Sequence, residues 1–208
     1  MLEPTIKLQP DNRIDIEKNY AEFKQLLIET KREGVYGLLG SLDESDFKTA
    51  PASTRFHLAT LGGLCLHSLG VRKYALQFNK ILGLDLDETS ITISSLLHDL
   101  TKTSFYEIGL EFDKEYKEAT NLWRKKEAWI INDVNKIGHG EGSLALALEW
   151  GIILTSEEKL SIRWHMSGFD DSSKTQQFRQ AHEIPLVRLI SIADDASSLA
   201  EEKFMGKF

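Results

Sequence analysis

Six histidines are spread along the 208 residues, and four of them fall where a helix should be burying apolar side chains. His67, in "GGLCLHSLGV", shares a helical face with Val71, Tyr74 and Phe78, so it points toward a core. His98 and Asp99 are adjacent in "SSLLHDLTK", and His98 aligns with Ile91, Ser95 and Lys102. His139 lies on the face of Ser143, Leu146 and Trp150, and His165 follows Ser161 and Ile162 near a helix end. Asp194 interrupts the apolar run "LVRLISIAD", where a lone carboxylate would be expensive to bury. Taken singly, a core histidine is more often a hydrogen-bonded packing residue than a ligand. Taken together, four inward histidines and two carboxylates in apolar contexts make a set of nitrogen and oxygen ligands. Imidazole and carboxylate suit divalent first-row metals, and a cation neutralises carboxylates that burial would otherwise penalise.

The elements that must position these residues are read from hydrophobic period and punctuation. Residues 14–32 form an amphipathic helix through Ile16, Tyr20, Phe23 and Leu27, ended by Gly34. A loop follows through "GSLDESDFKTAPAST", where Pro51 and the small residues oppose regular structure. Helices are expected over 61–82 and 86–102, the second starting near Asp87 or Thr89. Residues 113–134 break the helical period. There Tyr116, Trp123, Trp129, Ile130 and Ile131 flank the polar "RKKEA", which reads as a β-hairpin with a charged turn. Helices resume in "GSLALALEWG" and in "TSEEKLSIRWHM", where Thr155 and Glu158 have capping-box spacing. A last helix starts at Pro185, a residue favoured at the first helical position. The expectation is one all-α domain, a helical bundle with a small inserted β-hairpin.

Composition narrows the function class. The net charge of −7 weighs against a protein that grips long nucleic acid, which needs a basic face to displace counterions. Small phosphorylated substrates, held by metal ions and a few cations, fit the balance better. The single cysteine, Cys65, excludes an internal disulfide and fits a reducing cytoplasm. The polar first twenty residues carry no secretory pattern, and no apolar run approaches membrane-spanning length. A cytoplasmic protein without a membrane partner is expected.

The order His67, His98-Asp99, His139, His165, Asp194 resembles the HD superfamily of metal-dependent phosphohydrolases. "GGLCLHSLGV" looks like its first motif and "LLHDLTK" like its defining His-Asp motif with a trailing lysine. "GHGEGS" and "IRWHMSGFD" are similar to the third and fourth motifs of its two-metal members, and "LISIADDAS" to the last. The stretch "APASTRFHLATLGGLCLHSL" resembles the HD module of a bacterial 3′–5′ exoribonuclease, although no nucleic-acid-binding module accompanies the core here. The resemblance covers about residues 46–201, and the hairpin is not part of the common HD core.

The resemblance implies an HD helical bundle and two divalent ions drawn from Mn, Co, Ni, Fe or Mg. His67, His98, Asp99 and Asp194 would hold one ion, and Asp99, His139 and His165 the other. A water bound to the pair would lose a proton and attack a nucleotide phosphate ester or anhydride. Lys102 would meet a phosphate oxygen, Arg163 could reach the same anion, and His57 could line the pocket as a hydrogen-bond donor. Glu141 could orient His139, Trp164 and Phe169 could stack on a base, and His182 reads as a surface residue. Two rival functions remain: a di-iron oxygenase on the same scaffold, and a non-catalytic protein that sequesters a nucleotide.

Overall fold

A computed structural model describes residues 3–133, 136–169 and 173–208. Among them are nine α-helices and three β-strands, so the protein is predominantly helical and not all-α as expected. Helix α1, Ile16–Glu29, starts at Asp15, whose side chain accepts from the Lys18 amide, and buries Tyr20, Phe23 and Leu27. A second helix, α2, Val35–Glu44, occupies the start of the expected loop. Glycines and a serine dilute its apolar period, so tertiary burial of Val35, Leu38, Leu39 and Leu42 must hold it. Gly34 begins it with φ 84°, and a Cβ there would strike the Gly151 carbonyl.

Helix α3, Gly63–Leu82, ends on Gly83 in the left-handed region, a common helix stop. Helix α4, Glu88–Leu97, is capped by Asp87 and stops at His98 instead of running to residue 102. Asp99 leaves helical geometry, and a separate 3₁₀ turn spans Leu100–Lys102. Beyond the sheet region come α6, His139–Glu149, and α7, Ser156–Trp164, with the expected Thr155–Glu158 capping box formed in both directions. Helix α8, Gln176–Ala181, was not foreseen, and α9, Pro185–Phe204, has proline at its start.

The sheet corrects the hairpin expectation. Strand β1 is Glu3–Ile6, β2 is Tyr106–Phe112 and β3 is Arg124–Ile131, in the order β1-β3-β2. The antiparallel pair β2–β3 runs from Tyr106 opposite Ile131 to Phe112 opposite Lys125. Its first strand precedes residue 113, its connection carries the short helix α5, Lys114–Thr120, and "RKKEA" lies in β3 rather than in the turn. The charged stretch tolerates a strand because its residues are half-buried and paired. Lys126 opposes Glu111 in register at 3.5 Å, Glu127 meets Lys7 at 2.7 Å, and Arg124 meets Asp113 at 2.7 Å.

One core gathers Phe23, Leu27, Leu38, Leu42 and Phe47 against Leu64, Leu96 and Ile162. Another joins Val71, Ala75 and Ile91 to Leu186, Leu189 and Ile190. These contacts pack α3 on α9 and α4, and α7 on α9 and α4, while α6 packs on α7 and the 3₁₀ turn. No helix among the described residues is long and apolar enough to cross a membrane.

Candidate metal centre

Two helix ends use the same device. His98 closes α4 and donates Nδ1–H to the Ser95 carbonyl at 2.7 Å; His165 closes α7 and donates Nδ1–H to the Ile162 carbonyl at 2.8 Å. Last-turn carbonyls lack helical partners, and a carbonyl can only accept. Each ring is therefore held with its proton on Nδ1 and its Nε2 lone pair directed inward. His67, in mid-α3, is held differently. Its Nδ1 lies 2.9 Å from Glu201 Oε2, and Ser197 Oγ donates to Glu201 Oε1 at 2.6 Å from one turn earlier in α9. Gly70 allows that approach, because a Cβ there would collide with the Ser197 hydroxyl. His139, the first residue of α6, places Nε2 2.6 Å from Asp99 Oδ1. The glycines of "GHGEGS" let α6 come that close: a Cβ on Gly140 would strike the Arg163 carbonyl, and one on Gly142 the Thr101 side chain.

All six expected ligands converge. His67 Nε2 is 3.0 Å from Asp194 Oδ1, and His98 Nε2 is 3.3 Å from both His67 Nε2 and Asp99 Oδ2. His165 Nε2 is 3.5 Å from Asp99 Oδ1 and is buried without a hydrogen-bond partner. Asp99 divides its oxygens. Oδ1 faces His139 and His165, whereas Oδ2 faces His98, His67 at 3.6 Å and Lys102 at 2.6 Å. Side chains of His67, His98, Asp99 and His165 are at most 2% exposed, so water cannot relieve the crowding.

Lone pairs facing lone pairs in a dry interior demand a proton or a cation between them. Burial disfavours protonated His67, but Glu201 and Asp194 outweigh it and lift the imidazole to about 10. Burial also opposes ionised Asp99, yet Lys102, His98 and His139 hold it well below the usual carboxylate range. Asp194 is likewise held low, against burial, by His67 and His98. His139 is pushed down by burial, only partly offset by Asp99, while His165 is raised because Asp99 outweighs its burial. The donors fall into four groups whose ligand atoms lie within 4.8 Å of one another: His67, His98 and Asp99, all buried; His98, His165 and half-buried Asp194; Asp99, His165 and half-buried His139; and, on the far side of His67, that histidine with His57 and Glu201. Donor chemistry and the orphaned His165 Nε2 both fit divalent cations.

The centre opens into a cavity of about 510 Å3, floored by Asp99, Lys102, His139 and Asp194 and walled by Phe56 and Met166. His57 also lines it. Its Nε2 is buried and unpartnered, its ring stands 4.7 Å from that of His67, and burial, with His67 and Lys102, pushes its pKa down to about 3. Lys102 is not a solvated helix-end lysine: its side chain is 11% exposed and held on Asp99.

Other expected positions fall elsewhere. Arg163 is paired with Glu141 and lies 3.8 Å over the Trp164 ring, outside the cavity lining. Glu141 thus serves Arg163 rather than orienting His139. Trp164 packs edge-on against Phe178, which leaves it no open face for a base. The Phe169 side chain lies outside the described residues. His182 is half-buried, not on the surface, and its Nδ1 meets the Phe178 carbonyl at 3.1 Å. Glu201 was missed, although it sits seven residues after Asp194 on the same helical face.

No family model, curated protein or solved structure matches the chain.

Proposed function

We propose that the chain is a two-metal phosphohydrolase of the HD type, acting on a phosphate ester of a nucleotide or a similar small molecule. The observation that supports it most is the division of Asp99 between two sets of histidines, a carboxylate arranged to bridge two ions. One ion would rest on His67, His98, Asp99 and Asp194, and the other on Asp99, His139 and His165. When bound, such ions lower the pKa of water and absorb charge on phosphoryl oxygens.

The chain's own residues set the geometry. Glu201, the Ser95 carbonyl and the Ile162 carbonyl hold three imidazoles so that Nε2 faces the centre. Lys102 adds a positive charge beside Asp99 and faces the cavity where a phosphate would rest. His57, neutral at pH 7, contributes a hydrogen bond rather than charge. Phe56 and Met166 give the cavity an apolar side. Hydrolysis forms one phosphorus–oxygen bond from water and breaks the ester bond. The departing alcohol takes one proton, and the phosphate keeps the other.

The test is a nucleotide panel offered to metal-stripped protein with Mn, Co, Ni, Mg and Fe supplied in turn. Metal-dependent phosphate release is expected. Oxygen uptake with iron and no phosphate release would favour the di-iron oxygenase, and tight binding without turnover would favour sequestration.

A further inference from the structure

The charges around the cavity are sorted by depth. Its floor holds the candidate ligands and one ammonium, Lys102. That ammonium lies 2.6 Å from Asp99 Oδ2 and is 11% exposed, so it belongs to the floor and not to the mouth. The rim carries Asp195, exposed and one residue past Asp194, and half-buried Glu202, two turns further along α9. No cation pairs with either among the described residues, and no arginine or second lysine lines the cavity; the Lys207 ammonium lies over the Phe56 ring but donates to the Arg55 carbonyl, outside the lining. Phe56, 63% exposed, and half-buried Met166 give the lining its apolar surface, with His57 and Ser198 beside them.

A nucleoside triphosphate lying here would put one phosphoryl group on the metals and carry its other phosphates along apolar wall toward two carboxylates. Polyphosphate sites normally answer each phosphate with a lysine, an arginine, backbone amides or a metal. Here the charge pattern past the floor is the reverse. Like charges meeting at a solvated rim repel at low salt, and exclusion of wrong partners by repulsion is a general route to specificity.

We infer, building on the phosphohydrolase reading, that the centre takes esters with a single phosphoryl group and an uncharged or cationic remainder, such as a nucleoside monophosphate, and that Asp195 and Glu202 reject polyphosphates. These two carboxylates are specificity determinants: they face the part of the substrate that does not react. A base or amine that donates hydrogen bonds is welcome at the rim, and a second phosphate is not.

The test compares kcat/KM of the metal-loaded protein for the mono-, di- and triphosphate of one nucleoside, with metal in excess over nucleotide. The monophosphate should exceed the triphosphate by about tenfold or more at low salt, and the gap should shrink as added salt screens the rim. The double variant Asp195→Asn with Glu202→Gln should raise the triphosphate-to-monophosphate ratio by about tenfold while metal content stays full. A triphosphate preference in the parent overturns the inference, as does an unchanged ratio in the variant. Phosphate release from none of the three, with metal bound, overturns the phosphohydrolase reading itself and this inference with it.

Discussion

Helix α7 begins at one buried carboxylate and ends beside another, and the two are treated in opposite ways. Glu158, near its start, is fully buried with every oxygen satisfied. Oε1 accepts from Arg32 Nη2 at 2.7 Å and Ser90 Oγ at 2.8 Å; Oε2 accepts from Arg32 Nη1 and the Thr155 amide, each at 2.8 Å. That network closes on itself and ties α7 to α4 and to the end of α1. Asp99, beside His165 at the other end, is also buried, but its neighbours include imidazole nitrogens whose lone pairs point at it. That network is open. A closed polar network holds a fold together, whereas an open one in a dry interior waits for a cation. The position of the open network, against a cavity, makes it the candidate metal site.

The contrast can be broken by substitution. Asp99→Ala should lower hydrolysis by about 10⁴-fold, about 5 kcal/mol of transition-state stabilisation, and release both ions. Turnover assays paired with metal analysis check this, and lost activity with both ions retained would show that Asp99 is not the bridge. The metal-free Asp99→Ala protein should also unfold at lower denaturant than the parent, because the change strands Lys102 and His139, each 2.6 Å from the carboxylate. Glu158→Ala should destabilise the fold and leave the metal centre intact. It strands the Arg32 guanidinium and two further donors, at a cost of about 3–5 kcal/mol in stability, read from chemical denaturation. Its folded fraction should still bind metal with parental stoichiometry.

Lys102→Ala sharpens the picture at intermediate scale. Turnover should fall by one to three orders of magnitude, about 1–4 kcal/mol, with metal content intact. A parental rate would leave the ammonium no part in the reaction. The smallest effect belongs to Glu201→Ala, which releases His67 Nδ1 without removing a ligand. Metal affinity should weaken by about 10- to 100-fold, measured by competition with a chelator. An unchanged affinity would mean that packing alone holds the ring.

The centre's residues were legible because each interrupts an apolar face: a histidine among Val71, Tyr74 and Phe78 declares its direction without any structure. The long helices α3, α6, α7 and α9 were legible for the same reason. Glu201 was not, since "SSLAEEKF" reads as a solvated helix end and its partner His67 is 134 residues away. Helix α2 escaped because glycines interrupt its period and only burial stabilises it. The strands were misplaced because β3 carries its charges in cross-strand pairs, and pairing is invisible to a local window. Arg163 and Glu141 look like site residues by proximity in sequence, yet they satisfy each other.

The central claim is that Asp99 joins two ions, one on each oxygen. A crystal structure of the metal-loaded protein, with anomalous scattering recorded at the edge of the added metal, tests it directly. The account predicts two anomalous peaks: one among His67, His98, Asp99 and Asp194, and a second among Asp99, His139 and His165. A single fully occupied peak, with His139 and His165 still bonded only to protein, would contradict it.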